Sequence, residues 1–139
     1  MTAPRPLTPG EEERLVTAAK AARAKASAPY SGFHVGAALL AEDGSIHTGC
    51  NVESASYGLT VCAERIAVFK AVSEGVGKFR AVAVATGAET PTPPCGACRQ
   101  VLWDQCREIE VLMATVSGLL ERRTLSSLYP HPFEFGGPK

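Results

Sequence analysis

Two short segments set the strongest limit on how this chain can fold. One is Thr60-Val61-Cys62-Ala63-Glu64-Arg65, and the other is Pro93-Pro94-Cys95-Gly96-Ala97-Cys98-Arg99-Gln100. Each opens a helical pattern, and cysteines three apart at a helix start place both sulfurs on one face. Cys62 would complete a three-sulfur set, so a fold that uses it must bring two helix N-termini to one point. The partial positive charge there favours thiolates, by about 0.3–1 kcal/mol per terminus in exposed settings. Glu64 would stand beside the sulfurs without being a ligand.

The rest of the chain supplies a scaffold for that meeting. Thr8-Pro9-Gly10-Glu11 reads as a helix start with a capping box. Leu15, Ala18, Ala19 and Ala22 follow at helical spacing, and the pattern fades at Ser27-Ala28-Pro29. Phe33 to Ala41 reads as a buried strand, Asp43-Gly44 as a hairpin turn, and Ser45 to Asn51 as the returning strand. A loop over Val52 to Thr60 leads to the helix opened by Cys62, which stops at Gly75. Phe79 to Thr86 alternates as a third strand. A proline-bearing loop then delivers Cys95 to a helix carrying Val101, Leu102 and Cys106. Ile109 to Thr115 and Leu119 to Thr124 sit too close for a crossover helix, so they should pair antiparallel. A short helical turn, Leu125 to Leu128, precedes a Gly-rich tail. No repeat or linker divides the chain, so residues 1–139 read as a single catalytic domain. The helices between the second, third and fourth strands are expected to cover the sheet on both faces.

Bulk properties narrow the function classes. At 139 residues and 45% hydrophobic content the chain can bury a real core. Lys+Arg and Asp+Glu both number 14, which argues against binding nucleic acid through phosphate neutralisation. No apolar run approaches the roughly 20 residues of a membrane span. Met1 to Pro6 lacks the apolar core of a signal peptide. The expected location is therefore the cytoplasm, where cysteines are thiols or metal ligands before they are disulfides.

Three thiols suit zinc, whose catalytic sites use three protein ligands plus water. C-A-E with P-C-x-x-C matches the three-cysteine form of the zinc nucleobase deaminase pattern, in which the Glu moves protons. Three thiolates on Zn2+ leave about −1 of charge, which opposes acidification of a bound water. Arg65 or Arg99 could offset it as a neighbour of the ligands, and Arg65 is preferred because its turn is already at the site. The competing reading is a structural zinc knot, which needs a fourth ligand from His34, His47, His131, Cys50 or Cys106. None of these has a short fixed spacing to the three thiols.

Taken alone, the other residues have plain readings. Phe33 opens an apolar strand and reads as core. Asn51 and Glu53 share a face and would be a solvated strand end. Tyr57 could pack in its loop or support a ligand site. His34 reads as a satisfied strand histidine, His47 as a surface one, and Cys50 and Cys106 as small buried hydrophobes. Phe133 and Phe135 could plug a loose tail, and Trp103 could be core or subunit interface.

In combination these stretches resemble the small homo-oligomeric cytidine deaminases. The matching residues are 28–39 (APYSGFHVGAAL), Gly49-Cys50-Asn51-Val52-Glu53, Ala55-Ser56-Tyr57, Cys62-Ala63-Glu64-Arg65 and 94–102 (PCGACRQVL). The resemblance implies a three-layer α/β/α sandwich around a mixed five-stranded sheet. It implies attack of an activated water on C4 of cytidine or deoxycytidine, giving uridine or deoxyuridine plus ammonia, as in pyrimidine salvage. One Zn2+ per chain would be held by Cys62, Cys95 and Cys98, with Glu64 as proton shuttle and Arg65 stabilising the thiolates. Phe33, Asn51, Glu53, Ala63 and Tyr57 would bind the nucleoside. Phe133 would be lent to a neighbour's base pocket in a homotetramer. RNA editors of this chemistry usually carry His in place of Cys62, and antibiotic-nucleoside deaminases lack the Phe33, Asn51 and Glu53 set. Ser54 stands where the family usually has Asn, and Tyr129 where Leu is usual.

Overall fold

The first helix forms because its start is over-determined. In the computed structural model, which describes residues 5–136, α1 runs Pro9–Arg23 with the full capping box between Thr8 and Glu11. Its last turn tightens into i→i−3 bonds, Ala24 to Ala21 and Ala26 to Arg23, so it ends before the proline. The reading of Met1 to Pro4 as no signal sequence, and the tail end at 137–139, lie outside the described residues.

The remaining elements are β1 (Val35–Ala41), β2 (Ile46–Cys50), a 3-10 turn (Tyr57–Leu59), α2 (Ala63–Ser73), β3 (Phe79–Thr86), α3 (Gly96–Cys106), β4 (Glu110–Thr115), β5 (Leu120–Thr124) and α4 (Leu125–Leu128). The five strands form one sheet in the order β2-β1-β3-β4-β5. β1 pairs antiparallel with β2 and β3, β3 pairs parallel with β4, and β4 pairs antiparallel with β5. The expected α/β sandwich with a mixed sheet is what forms.

The distribution of helices differs from expectation. α2 and α3 do not split between faces; both pack on one. Ala67, Val68 and Ala71 of α2 share a core with Leu102, Trp103 and Cys106 of α3, over Leu39, Val82 and Val111. The opposite face belongs to α1, whose Leu15 and Ala19 pack on Ala38, Leu40, Ala81, Ala83 and Leu112. Chirality explains this. β2, β3 and β4 all run the same way, and the crossovers through α2 and α3 step along the sheet in the same direction. Right-handed connections stepping the same way put their helices on the same side.

The two layers approach the sheet closely because small residues face them. A Cβ at Gly36 would lie 2.0 Å from the Ala19 carbonyl oxygen, and one at Gly49 would lie 2.5 Å from that of Ala63. Gly49 thus presses the first turn of α2 onto β2. The β1 strand begins two residues later than the apolar run suggests. The buried Asn51 amide brackets that stretch: Oδ1 accepts from the Val35 N–H at 2.8 Å and Nδ2 donates to the Phe33 carbonyl at 2.8 Å. Phe33 is thereby taken out of the ladder.

Glu11 also ties α1 to β3 through the buried Arg80, whose Nη2 donates to Oε1 at 3.1 Å. The Arg80 guanidinium, and then the Thr8 N–H, hold the Glu11 carboxyl down at about 2, against 4.5 when unfolded. Because the folded value is the lower one, the pair stabilises fully above about pH 4.5, and that stability is lost as pH falls through about 2. Glu11→Gln should therefore unfold more easily than the unaltered chain at pH 7, with the gap closing towards pH 2. Urea melts across this range check it, and a gap that does not change with pH would contradict the assignment.

Candidate metal centre and its cleft

Cys62 and Cys95 occupy equivalent places. Each is the extended N-cap residue of its helix, α2 or α3, and neither side chain caps the helix it precedes. Both thiols are left to point elsewhere. β2 and β3 run the same way, so the helices that follow them start at the same end of the sheet, where ligand sites of α/β sheets form. The Cys62 and Cys95 sulfurs lie 3.7 Å apart. Cys98, buried in the first turn of α3, has its sulfur 3.4 Å from that of Cys95.

These distances suit zinc. Tetrahedral Zn2+ with Zn–S bonds of about 2.3 Å sets sulfurs roughly 3.8 Å apart, and all three sulfurs here lie within 4.8 Å of one another. Among the described residues no fourth His, Cys, Asp or Glu joins the cluster. His47 instead contacts Ser45 and Glu74, His131 is exposed, Cys106 is buried at the end of α3, and Cys50 is only half-buried. The donor set is that of an open site and not of a closed structural knot.

The charge around the cluster is compensated locally. Arg65 Nη2 lies 3.6 Å from the Cys62 sulfur and 3.4 Å from the Thr60 carbonyl. Arg99 does other work: Nε donates to the Pro94 carbonyl at 2.9 Å and Nη1 to that of Leu128 at 3.0 Å. The Cys62 thiol is drawn down to about 5, chiefly by a hydrogen bond from Cys98, with Arg65 adding to it against the effect of burial. Cys98 is pushed up by that same sharing and by burial. Glu64 is 4% exposed. Burial first, and the Cys62 thiolate next, push its carboxyl up to about 7.

A cavity of about 300 Å3 opens at the cluster. Cys62, Cys95 and Glu64 line it together with Phe33, Asn51, Glu53 and Tyr57. Phe33 is 41% exposed and forms cavity wall, so its plain reading as core does not hold. Glu53 accepts from the Tyr30 N–H at 3.0 Å, the Ser31 N–H at 3.1 Å and the Tyr57 hydroxyl at 3.3 Å. The Ser31 hydroxyl is the main cause of its lowered pKa. Asn51 faces the cavity while its amide braces the chain at Phe33 and Val35.

Two expected residues stand elsewhere. Ala63 is fully buried in the core under α2, and its side chain does not line the cavity. Phe133 is 67% exposed and lies beside Gln100, Asp104 and Arg107, away from this chain's own cavity. Trp103 is core. The sequence reading gave no role to Ser31, Thr60, Val84, Thr86 or Thr92, which also line the cavity. Thr86 had a signal, since it ends β3 at the edge where the helices start.

Comparison with known proteins points the same way. The family described as the cytidine and deoxycytidylate deaminase zinc-binding region matches residues 9–114. A Sporosarcina psychrophila protein named cytidine deaminase is 50% identical over 122 residues, 87% of this chain and 90% of that protein. The crystal structure of cytidine deaminase from Burkholderia pseudomallei superposes with a TM-score of 0.86 at 46% identity, covering 91% of this chain and 100% of that one. That from Mycobacterium tuberculosis gives 0.77 at 41% identity, covering 89% and 98%.

If Arg65 offsets thiolate charge, Arg65→Gln should weaken zinc binding by about 10–100-fold, as loss of such neighbours typically does. Competition with a chromophoric chelator measures this. An unchanged affinity would remove Arg65 from the site's electrostatics.

Proposed function

This chain belongs to the cytidine and deoxycytidylate deaminases that share the zinc-binding region, and from that premise we propose the following account of its reaction. It hydrolyses the C4 amino group of cytidine and deoxycytidine, giving uridine and deoxyuridine and releasing ammonia. The observation that carries this reading is a buried carboxyl, Glu64, lining the same cavity as Cys62, Cys95, Glu53 and Phe33.

One Zn2+, held by Cys62, Cys95 and Cys98, would supply a Lewis acid that lowers the pKa of a water. Glu64 takes one proton from this water as its oxygen bonds to C4 and passes it to the ring nitrogen N3; it then takes the second, from the C4 hydroxyl, and delivers it to the amine as the C4–N bond breaks and C4=O forms. It ends the cycle as it began. Burial of Glu64 keeps bulk water from levelling these transfers. Arg65 and the two helix N-termini balance the thiolate charge. Phe33 packs on the nucleoside, and Asn51 and Glu53 accept and orient the ribose hydroxyls. The Ser31 and Tyr57 hydroxyls hold the Glu53 carboxylate in place.

A nucleoside suits this cleft better than a nucleotide. Among the described residues the cavity lining includes the Glu53 carboxylate and no Lys, Arg or His. A phosphate would meet an anion and no cation. We place the enzyme in the cytoplasm on the strength of its free thiols, and in pyrimidine salvage because its reaction turns one free pyrimidine nucleoside into another. No helix among the described residues is long and apolar enough to cross a membrane. The working form is a homotetramer of single-domain chains in which Phe133 closes a neighbour's cleft; its 67% exposure supports this.

Mixing cytidine with the zinc-loaded protein and following the ultraviolet change tests the reading. Turnover should fall about 10²–10⁴-fold in Glu64→Gln at unchanged zinc content, the usual worth of general acid–base help. No turnover by protein holding one zinc per chain would sink the assignment. Cytidine monophosphate should be used at least about 10²-fold less well than cytidine, because its charge goes uncompensated at the Glu53 end. Equal use of the two would show that the phosphate finds a partner.

A further inference from the structure

Tyr129 departs from the residue usual in the family, and the reaction described so far gives it no role. Its surroundings are specific. The Phe133 N–H donates to the Tyr129 hydroxyl at 3.2 Å, and that hydroxyl donates to Gln100 Oε1. Gln100 Nε2 donates in turn to the Phe133 carbonyl at 2.8 Å. The N–H and C=O of Phe133 are thus closed into one ring of hydrogen bonds by two side chains. Leucine at 129 would leave the N–H without that acceptor.

The ring is part of a longer grip. Gln100 and Trp103 are spaced to share one face of α3, and Arg107 caps its C-terminal end. Trp103 Nε1 donates to Glu134 at 3.0 Å, and Arg107 pairs with Glu134 while lying 5.8 Å over the Trp103 ring. The tail is anchored on both sides of an aromatic ring that itself stays 67% exposed. A large apolar side chain presented outward on a clamped main chain has lost most of its backbone freedom before it meets anything. Preorganisation of this kind is what strengthens a contact without adding atoms to it.

We propose that Tyr129, together with Gln100, is a positioning residue for the deaminase reaction: the two fix the main chain at Phe133 and hold its ring in the pose that completes a cleft. The proposal rests on the reading that Phe133 closes the cleft of a neighbouring copy. Tyr129 touches no substrate; it acts through Phe133.

Tyr129→Phe removes one hydroxyl and keeps the ring, so folding should survive. In the zinc-loaded, full-length protein this variant should raise KM for cytidine about 3–10-fold with little change in kcat, since the loss is in binding geometry and not in proton transfer. Gln100→Leu should move KM the same way. Phe133→Ala sets the ceiling, and Tyr129→Phe combined with it should be no worse than Phe133→Ala alone. Melting temperature and zinc per chain should stay at the unaltered values in Tyr129→Phe. A Phe133→Ala variant with normal KM would overturn the cleft-closing reading and this proposal with it. A raised KM in Phe133→Ala but a normal one in Tyr129→Phe would overturn this proposal alone. Additive effects in the double variant would also overturn it, because Tyr129 would then act independently of Phe133.

Discussion

The meeting of three cysteine sulfurs at one point governs this structure. To serve together as metal ligands, sulfurs within 4.8 Å of one another need positive charge around them. The chain provides it in three forms: two helix N-termini, the Arg65 guanidinium, and a donor set shaped for a divalent cation. Each depends on the sheet. β2 and β3 point the same way because both are antiparallel to β1. That is what starts α2 and α3 at one edge. Had β3 run parallel to β1, the cysteines would sit at opposite ends of the sheet.

Close packing then converts direction into position. Gly49 lets the first turn of α2 rest on β2 at a distance that no side chain would permit, and Gly36 does the same for α1 on β1. Alanine dominates the sheet face under α1, so this helix also sits near the strands. The consequence is a site built from rigid parts. Cys62 belongs to a helix start whose height above the sheet is set by main-chain contact at Gly49, which limits how far its sulfur can drift.

Much of this was legible in the residues because local signals agreed with the global fold. The capping box, the Asp43-Gly44 turn and the two cysteine-led helices all form where their chemistry predicts. What failed required information that is not local. The side taken by α2 and α3 depends on strand order, which periodicity does not carry. Phe33 belongs to an apolar run by composition, yet Asn51, far along the chain, pulls its backbone out of the ladder and turns it to the cavity. Ala63 lies between two site residues in sequence but faces the core, because consecutive helical residues point about 100° apart. Thr92 and Val84 reach the cavity from other elements and carry no signal of their own.

The same distinction explains what the two departures from family pattern mean. Ser54 fills its place locally: its N–H donates to Thr60 Oγ1 at 3.1 Å and its hydroxyl accepts from the Ser56 N–H at 3.2 Å. It shapes a loop and ends there. Tyr129 reaches across to α3 and back to Phe133, so it links the helix carrying two metal ligands to the tail. Such a link has no effect on the metal, whose sulfurs are set by the N-terminal end of α3. It meets α3 further along, at Gln100. One helix therefore holds two things along its length, the cysteine cluster at its start and the Phe133 main chain further on. Their separation is fixed by about 1.5 Å of rise per residue, which gives the fold a rigid ruler between the cysteine cluster and the exposed Phe133 ring.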